Sequence, residues 1–283
     1  LKTVYQKSHI LLWAFLNKEF KMEISPNNIR KISLEMIYNS KSGHVGGSFS
    51  IAEIVSYLYN NYQLSSGKED KLILSKGHAV PAIYAALHLS GVISKKEILT
   101  FREIDSRLQG HPDKARLPNV VATTGSLGQG LSIAIGHALS HKLRGNNKKV
   151  FCIVGDGEMQ EGQVWESIML APKFKLDNLY FIIDFNGAQN DGNVEDILSL
   201  NIGKSIGDKI KSFGWNISEV DGHNISEIDL AVKNVIIDTP NCIIANTVKG
   251  KGVSFMETHE WHAKAPNAEQ FKLAIEELSN ESN

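Results

Sequence analysis

Two short apolar runs, each stopped by a glycine turn, constrain the fold of this chain more than any other feature. The first covers residues 150–154 and stops at Gly155-Asp156-Gly157, and the second covers residues 179–185 and stops at Asn186-Gly187. A segment of helix length separates them. Short apolar runs bounded by glycine are typical of strands buried on both faces of a parallel sheet, with a crossover helix between consecutive strands. The sequence therefore predicts an α/β fold in which helices flank a parallel sheet.

The two turns combine the chemistry of a hard cation and a phosphate. Ligands of parallel sheets bind at the carboxyl ends of the strands, where both turns fall. Asp156 offers a carboxylate, Asn186 an amide oxygen, and the main chain near Ala188 a carbonyl, a set that suits Mg²⁺ or another divalent cation such as Ca²⁺ or Mn²⁺. Gly155 and Gly157 let the main chain approach a diphosphate. Either turn alone could be plain turn chemistry, but their pairing around one helix favours a site.

A balanced composition excludes several classes of protein. Of the 283 residues 42% are hydrophobic, so the chain can bury the core of one large domain. A net charge of -1 argues against nucleic acid or an anionic membrane as partner. Cys152 and Cys242 lie within apolar runs, where a thiol packs as a small hydrophobe, and this favours a reduced, cytoplasmic setting.

Residues 1–24 are interpreted as an amino-terminal extension, either helical or foreign to the native protein, and residues 25–283 as one domain. The apolar stretch at 11–16 is too short to span a membrane, and no small-residue cleavage site follows it, so we predict neither anchor nor signal peptide. Organised sequence begins at Ser25-Pro26-Asn27, which is typical of a helix start.

Other motifs place histidines and glycines at the ends of elements. The glycines of SGHVGGSFS predict a helix end and a loop that carries His44, and His78 follows the strand KLIL. The glycines of TGSLGQG predict a tight entry into a buried helix. Each of these motifs also has an ordinary structural interpretation: the histidines could be exposed loop residues, and the glycines could serve close packing. The turn DGHN leaves His223 undecided between exposure and function, with a strand at 215–219 before it and a helix at 225–237 after it. His88, His137 and His141 lie on predicted helices and are interpreted as structural.

The segments GDGEMQEGQVWES and DFNGAQNDG resemble motifs of the transketolase family. The same resemblance is supported by SGHVGG, SKGH, TGSLGQG and WHAKAPN. Val45 stands where the family usually has proline. The resemblance implies that His44, His111 and His262 surround the substrate's carbonyl and hydroxyl oxygens as catalytic residues. It also implies a set of cofactor-binding residues and a set of metal ligands. The implied cofactor-binding residues are His78, Gly125, Ser126, Leu127, Gly155, Gly157, Glu158, Asn186 and His262. The implied metal ligands are Asp156, Asn186 and Ala188.

By resemblance, the chain transfers a two-carbon ketol unit from a ketose or ketose phosphate donor to an aldose acceptor through a thiamine diphosphate carbanion. The resemblance covers nearly the whole chain but only the first domain of the full enzyme. It implies the amino-terminal subunit of a split transketolase, whose separate pyrimidine-binding chain supplies a glutamate. It also implies that Glu161 and Glu166 lie at the subunit interface of an assembly with two copies of each chain.

Several alternatives stay open on the sequence alone. A deoxyxylulose-phosphate synthase-like enzyme or a 2-oxoacid dehydrogenase-type component would keep the metal motif with another donor. A specialised transketolase could pass its two-carbon unit to a carrier protein or an unusual sugar. A non-enzymatic scaffold or binding partner is disfavoured by the intact pair Asp156 and Asn186.

Overall fold

The computed structural model of the protein describes residues 23–66 and 69–280. The predicted extension over residues 1–24 therefore lies outside the described residues, except for Glu23 and Ile24. The predicted helix start is confirmed, because Ser25 caps the first helix by accepting a hydrogen bond from the Asn28 amide at 3.3 Å and Pro26 is its first residue.

Parallel strands form the centre of the molecule. In chain order they are β1 Lys71–Leu74, β2 Val150–Gly155, β3 Leu179–Phe185, β6 Asn216–Asp221 and β7 Asn241–Asn246. They pair in the order β1-β2-β3-β7-β6, and every pairing is parallel. A small antiparallel hairpin follows β3 and consists of β4 Ala188–Gln189 and β5 Gly192–Asn193. The predicted α/β class, with a parallel sheet flanked by helices, is confirmed.

Helices cover the sheet and connect its strands. Within the described residues they are α1 Pro26–Ser40, α2 Val45–Ser50, α3 Ala52–Asn61, α4 Val80–Leu89, α5 Lys95–Ile98, α6 Gly130–Leu143, α7 Gly162–Lys173, α8 Val194–Leu198, α9 Ile206–Ser212, α10 Ile225–Lys233 and α11 Ala268–Asn280. Short 3-10 turns lie at Gly77–Ala79, Gly157–Gln160, Ser254–Met256 and His259–Trp261. In the ranges 23–66 and 69–280, no helix combines the length and apolar character that crossing a bilayer requires.

The central strands are buried on both faces, as their unbroken apolar runs predict. Phe151 and Tyr180 belong to the core on one face of the sheet, and their neighbours Cys152 and Phe181 belong to the core on the other. Burial of each large apolar side chain contributes about 1.5–3 kcal/mol. Because Gly155 pairs with Asp184 in the β2–β3 register, the turns that follow these two strands lie side by side. The sheet thus brings the two glycine turns together.

The glycine-rich segment around His44 differs from the prediction. Helix α2 occupies residues 45–50. Helix α1 ends at Ser40, and Lys41, with a left-handed φ of 52°, caps it in place of a glycine. The glycines serve close packing instead of flexibility: a Cβ on Gly46 would lie 2.7 Å from Lys249 Cγ. His44 therefore lies at the amino-terminal end of a buried helix.

The carboxyl-terminal third also corrects two boundaries. Helix α10 ends at Lys233 instead of Ile237, because Asn234 leaves the helical conformation as the chain turns toward β7. Ile237 is consequently 83% exposed. Strand β6 covers Asn216–Asp221 instead of residues 215–219, and Trp215 packs in the core just before it.

Candidate active site

The predicted metal ligands lie in the adjoining turns after β2 and β3. Asp156 Oδ1 accepts a hydrogen bond from the Gly157 amide at 2.8 Å, and Asp156 Oδ2 accepts one from the Gly187 amide at 2.5 Å. Asn186 Oδ1 accepts from the Ala188 amide at 3.1 Å. The carboxylate, the amide oxygen and the Ala188 main chain therefore belong to one hydrogen-bonded unit.

The chemistry of this unit fits a hard divalent cation. Asp156 is only 2% exposed. Burial, followed by the nearby Asp184 charge, raises the pKa of Asp156 to about 6. Among residues 23–66 and 69–280, no group of three histidine, cysteine, aspartate or glutamate side chains could hold a metal. A cation here would depend on one carboxylate, one amide oxygen and one carbonyl, an all-oxygen set that Mg²⁺ accepts together with phosphate oxygens.

A second buried acid, Asp184, lies beside this unit and was not singled out in the sequence. It is 0% exposed and forms an ion pair with Lys76. Ser50 Oγ donates to Asp184 Oδ2 at 2.7 Å, Asn186 Nδ2 donates to the same oxygen at 2.9 Å, and Thr247 donates to Oδ1. Burial opposes ionisation of Asp184, but Lys76 and these donors bring its pKa below the ordinary value. By holding the amide nitrogen of Asn186, Asp184 fixes which atom of that amide remains as the acceptor.

Four histidines predicted from separate motifs gather in one cluster. The His44 ring centroid lies 5.1 Å from that of His78, 5.4 Å from that of His262 and 6.4 Å from that of His111. The His78 and His262 centroids are 5.1 Å apart. Nδ1 of His44 is buried and has no hydrogen-bond partner among the described residues. A buried polar nitrogen without a partner is uncommon and points to a ligand or water as its partner.

These imidazoles are neutral near pH 7. Burial, followed by the Arg102 charge, lowers the pKa of His44 to about 4, and the same two causes lower the pKa of His111. Burial and Lys249 lower the pKa of His262 to about 3. Burial and then Lys76 put the pKa of His78 well below its ordinary value. Each neutral ring can donate one hydrogen bond and accept another.

Lys249 joins the histidine cluster to the oxygen-lined turns. Its Nζ lies 2.8 Å from His262 Nδ1 and donates to the Ala188 carbonyl at 3.1 Å. The side chain is 5% exposed, and burial, followed by repulsion from Lys76, lowers its pKa to about 8. On sequence alone, a lysine of the glycine-rich stretch 249–252 could face either phosphate or water. The structure places it inside the site, where a cation suits a phosphate.

The glycine loop TGSLGQG borders the same site. Gly125 adopts a φ of 140°, and a Cβ on it would lie 3.1 Å from His111 Cγ, so only glycine fits both the backbone and the contact. Ser126 and Leu127 follow it and are exposed. A Cβ on Gly157, in the GDG turn, would lie 2.8 Å from Gln189 Cβ. Glycine thus lets the main chain of both loops approach neighbouring groups closely.

Glu158, predicted to bind the cofactor, has its carboxylate inside the protein. Its Oε1 accepts from the Gly128 amide at 2.8 Å and from Ser75 Oγ, and its Oε2 accepts from the Gly155 amide at 3.1 Å. The carboxylate thus ties the glycine loop to the end of β2. Its carboxylate contacts are with the protein's own loops.

The remaining singled-out residues are not part of the histidine cluster. Glu161 and Glu166 are exposed at the start of α7 and along its outer face. His223 contacts Glu53 and the Val248 amide. His88 Nδ1 lies 2.7 Å from the Ile93 carbonyl, which agrees with a structural interpretation.

Sequence comparison identifies relatives of the chain. The family described as transketolase, thiamine diphosphate binding domain, matches residues 22–282. An apulose-4-phosphate transketolase subunit of Phocaeicola vulgatus is 36% identical over 267 residues, which cover 91% of this chain and 94% of that relative. A 6-deoxy-6-sulfo-D-fructose transketolase subunit of a Clostridium species is 38% identical over 273 residues, which cover 93% of this chain and 98% of that relative.

Structural comparison agrees. Transketolase from Campylobacter jejuni superposes with a TM-score of 0.82 and is 30% identical, and the match covers 93% of this chain and 43% of that chain. The chain thus spans less than half of a full-length transketolase, but nearly all of the two subunit relatives.

Proposed function

This chain belongs to the transketolase thiamine diphosphate-binding domain family, and from that premise we propose that it is the amino-terminal subunit of a two-chain transketolase. With its partner it transfers a two-carbon ketol unit from a ketose or ketose phosphate to an aldose. The observation that carries the proposal is the juxtaposition of an all-oxygen turn, Lys249 and four neutral histidines at the carboxyl end of one sheet.

The oxygen-lined turns hold the cation and the diphosphate. Asp156, Asn186 and the Ala188 carbonyl bind Mg²⁺, or another divalent cation such as Ca²⁺ or Mn²⁺, which leaves coordination places for phosphate oxygens. The main chain of the GDG turn and the Lys249 ammonium suit the phosphates of the cofactor. When bound, thiamine diphosphate supplies a nucleophilic carbon and an electron sink for breaking and forming a carbon–carbon bond beside a carbonyl.

The histidines act on the sugar oxygens. His44 and His111 are neutral at pH 7, so each can donate one hydrogen bond to a sugar oxygen and accept another. His262 is also neutral, but its Nδ1 faces the Lys249 ammonium, which leaves Nε2 to donate to the sugar. The unpartnered Nδ1 of His44 is available for such a contact. Burial, followed by the charges of Arg102 and Lys249, lowers the pKa of His44 and of His262 and keeps these rings neutral.

A separate pyrimidine-binding subunit completes the site. The two similar relatives are themselves named as transketolase subunits. Glu161 and Glu166 lie on the exposed face of α7 with Met169, which is 54% exposed, and this face is the one we assign to the assembly of two copies of each chain. The partner supplies the acid that the cofactor's pyrimidine requires. The assembly works in the cytoplasm.

Ketol transfer with purified components tests the proposal. Ketose-to-aldose transfer is assayed with thiamine diphosphate and Mg²⁺, first with this chain alone and then with the chain encoded beside it. We expect activity only in the mixture. Activity of this chain alone would contradict the need for a partner, and consumption of pyruvate in place of a ketose would favour the deoxyxylulose-phosphate synthase-like alternative.

A further inference from the structure

A buried polar chain runs from α1 to the turn after β6, outside the histidine cluster. Arg30 Nη2 donates to both carboxylate oxygens of Glu53 at 2.7 Å and to the Phe49 carbonyl at 3.2 Å. Both charged side chains are buried. Burial raises the pKa of Glu53, but hydrogen bonds from His223 and the Arg30 charge bring it below its ordinary value. An ionised buried acid of this kind holds its partners firmly.

The next link fixes the tautomer of His223. The Val248 amide donates to His223 Nε2 at 2.8 Å, and His223 Nδ1 lies 2.9 Å from Glu53 Oε2. Because a main-chain amide can only donate, Nε2 carries no proton and Nδ1 is the protonated nitrogen that donates to Glu53. The imidazole therefore joins an acceptor on α3 to a donor on the loop after β7.

That loop carries Lys249. The Thr247 hydroxyl donates to Asp184, Lys249 Nζ reaches Ala188 and His262, and the Gly250 amide donates to the Gly46 carbonyl at 3.1 Å. His223 holds the residue between these anchors, Val248. The segment 247–250 is thus fixed at each successive residue, and Lys249 is flanked by fixed neighbours.

The DGHN motif is built for this contact. The Gly222 amide donates to the Asn246 carbonyl at 2.8 Å, and a Cβ on Gly222 would lie 2.4 Å from Thr247 Cγ2. Glycine therefore lets the turn after β6 lie directly against the loop after β7. Asp221 Oδ1 accepts from the His223 amide at 2.9 Å, which orients the histidine. The motif has a geometric reason beyond ordinary turn chemistry.

We propose that His223 is a positioning residue: held by the Arg30–Glu53 pair, it anchors Val248 and so places Lys249 Nζ between His262 and the Ala188 carbonyl. The inference rests on the proposed function only in one respect, that Lys249 binds a phosphate. The placement itself is a property of this chain.

The contact is tested first by NMR on the full chain without ligand. Nitrogen-15 shifts of His223 are expected to show a protonated Nδ1, and the Val248 amide is expected to exchange slowly. In His223→Leu, we expect Val248 exchange to accelerate about tenfold or more, the loss of roughly one hydrogen bond, and the Lys249 side-chain signals to move toward those of a free lysine. His223→Gln, which can still accept from Val248, should restore most of the protection.

Ligand binding is tested second, by calorimetric titration of the same proteins, each mixed with the chain encoded beside it, with thiamine diphosphate and Mg²⁺. We expect His223→Leu to weaken binding about tenfold and His223→Gln much less. His137→Leu, a histidine of α6 near Lys71 and Lys114, is the matched control and should bind normally. If the wild-type chain binds no thiamine diphosphate even with the partner chain present, the proposed function fails, while the NMR results still decide the placement. A protonated Nε2 in the wild-type chain, or unchanged Val248 exchange and Lys249 signals in a folded His223→Leu, would overturn the inference.

Discussion

Asp156 and Asp184 are both buried acids at the ends of neighbouring strands, yet the protein surrounds them in opposite ways. Asp184 receives an ammonium, two hydroxyls and an amide from the protein itself. Asp156 receives two main-chain amides, and within the described part of the chain no cationic side chain is hydrogen-bonded to it. The pKa of Asp184 accordingly lies below its ordinary value, whereas burial and the Asp184 charge raise that of Asp156 to about 6.

We propose that the difference separates a structural acid from a binding acid. A buried carboxylate that the fold compensates completely contributes to holding the fold, and its removal leaves its partner charge unpaired. A buried carboxylate that the fold compensates only in part is stabilised when a cation binds. We therefore assign stability to Asp184 and cation binding to Asp156, and the variants below test that division.

The largest effect is expected from Asp184→Asn. The substitution leaves the Lys76 ammonium buried without its counter-charge, so the free energy of unfolding should fall by about 3–5 kcal/mol. Urea unfolding measures the loss. Adding Lys76→Met to the variant removes the unpaired charge and should recover part of the stability. Equal losses in the single and double variants would show that the pair does not act as a unit.

Asp156→Asn should produce the opposite pattern. We expect Mg²⁺-dependent binding of thiamine diphosphate to weaken by about 100-fold or more, because the carboxylate that we propose as a metal ligand is lost. Without divalent cation, its free energy of unfolding should fall much less than that of Asp184→Asn, since relief of the buried charge offsets the altered hydrogen bonding. Calorimetric titration and urea unfolding measure the two quantities. A variant that keeps its affinity but loses stability would reverse our assignment.

Glu158→Gln extends the comparison to a third buried acid, which lies in the same turn as Asp156. Its carboxylate accepts main-chain amides from two loops, and a glutamine nitrogen would oppose one of them. We expect a loss of about 1–3 kcal/mol in the free energy of unfolding and a smaller loss of cofactor affinity than in Asp156→Asn. Glu269→Gln, exposed on α11, is the matched control and should change neither quantity. Tight cofactor binding that depends on Glu158 as strongly as on Asp156 would contradict this account.

The smallest effect is a pH dependence of stability. The pKa of His44 is lowered to about 4 from an ordinary 6.5, so the unfolded chain binds a proton between these values that the folded chain does not. The contribution of this pKa shift to the free energy of unfolding is fully present above pH 6.5 and falls as the pH drops toward 4. Because the site is partly open to solvent, the slope should stay below about 1.4 kcal/mol per pH unit. Urea unfolding from pH 7 to 4.5 should show a shallower fall in His44→Asn than in the wild type; parallel curves would contradict it.

Local pattern was enough to predict the parallel sheet and the two turns. The apolar runs at β2 and β3 end at glycines, and their adjacency follows from the parallel register alone. The resemblance to the transketolase family predicted that the four histidines belong to one site. Asp184 lies far from Lys76 in the chain, and His223 lies far from Glu53. No local spacing in the sequence therefore predicts that these residues pair. A charged residue inside the apolar run at 179–185 was the available signal for Asp184. The Val45–Ser50 helix was missed because glycines that serve close packing look like glycines that serve a loop.

The most direct test of the division between the two acids is a crystal structure of the full chain with thiamine diphosphate and Mn²⁺, located by its anomalous scattering. We predict the cation bound by Asp156, Asn186 and the Ala188 carbonyl together with diphosphate oxygens, and Asp184 still paired with Lys76. A cation held by Asp184 or by the histidines, with Asp156 uncoordinated, would contradict the account.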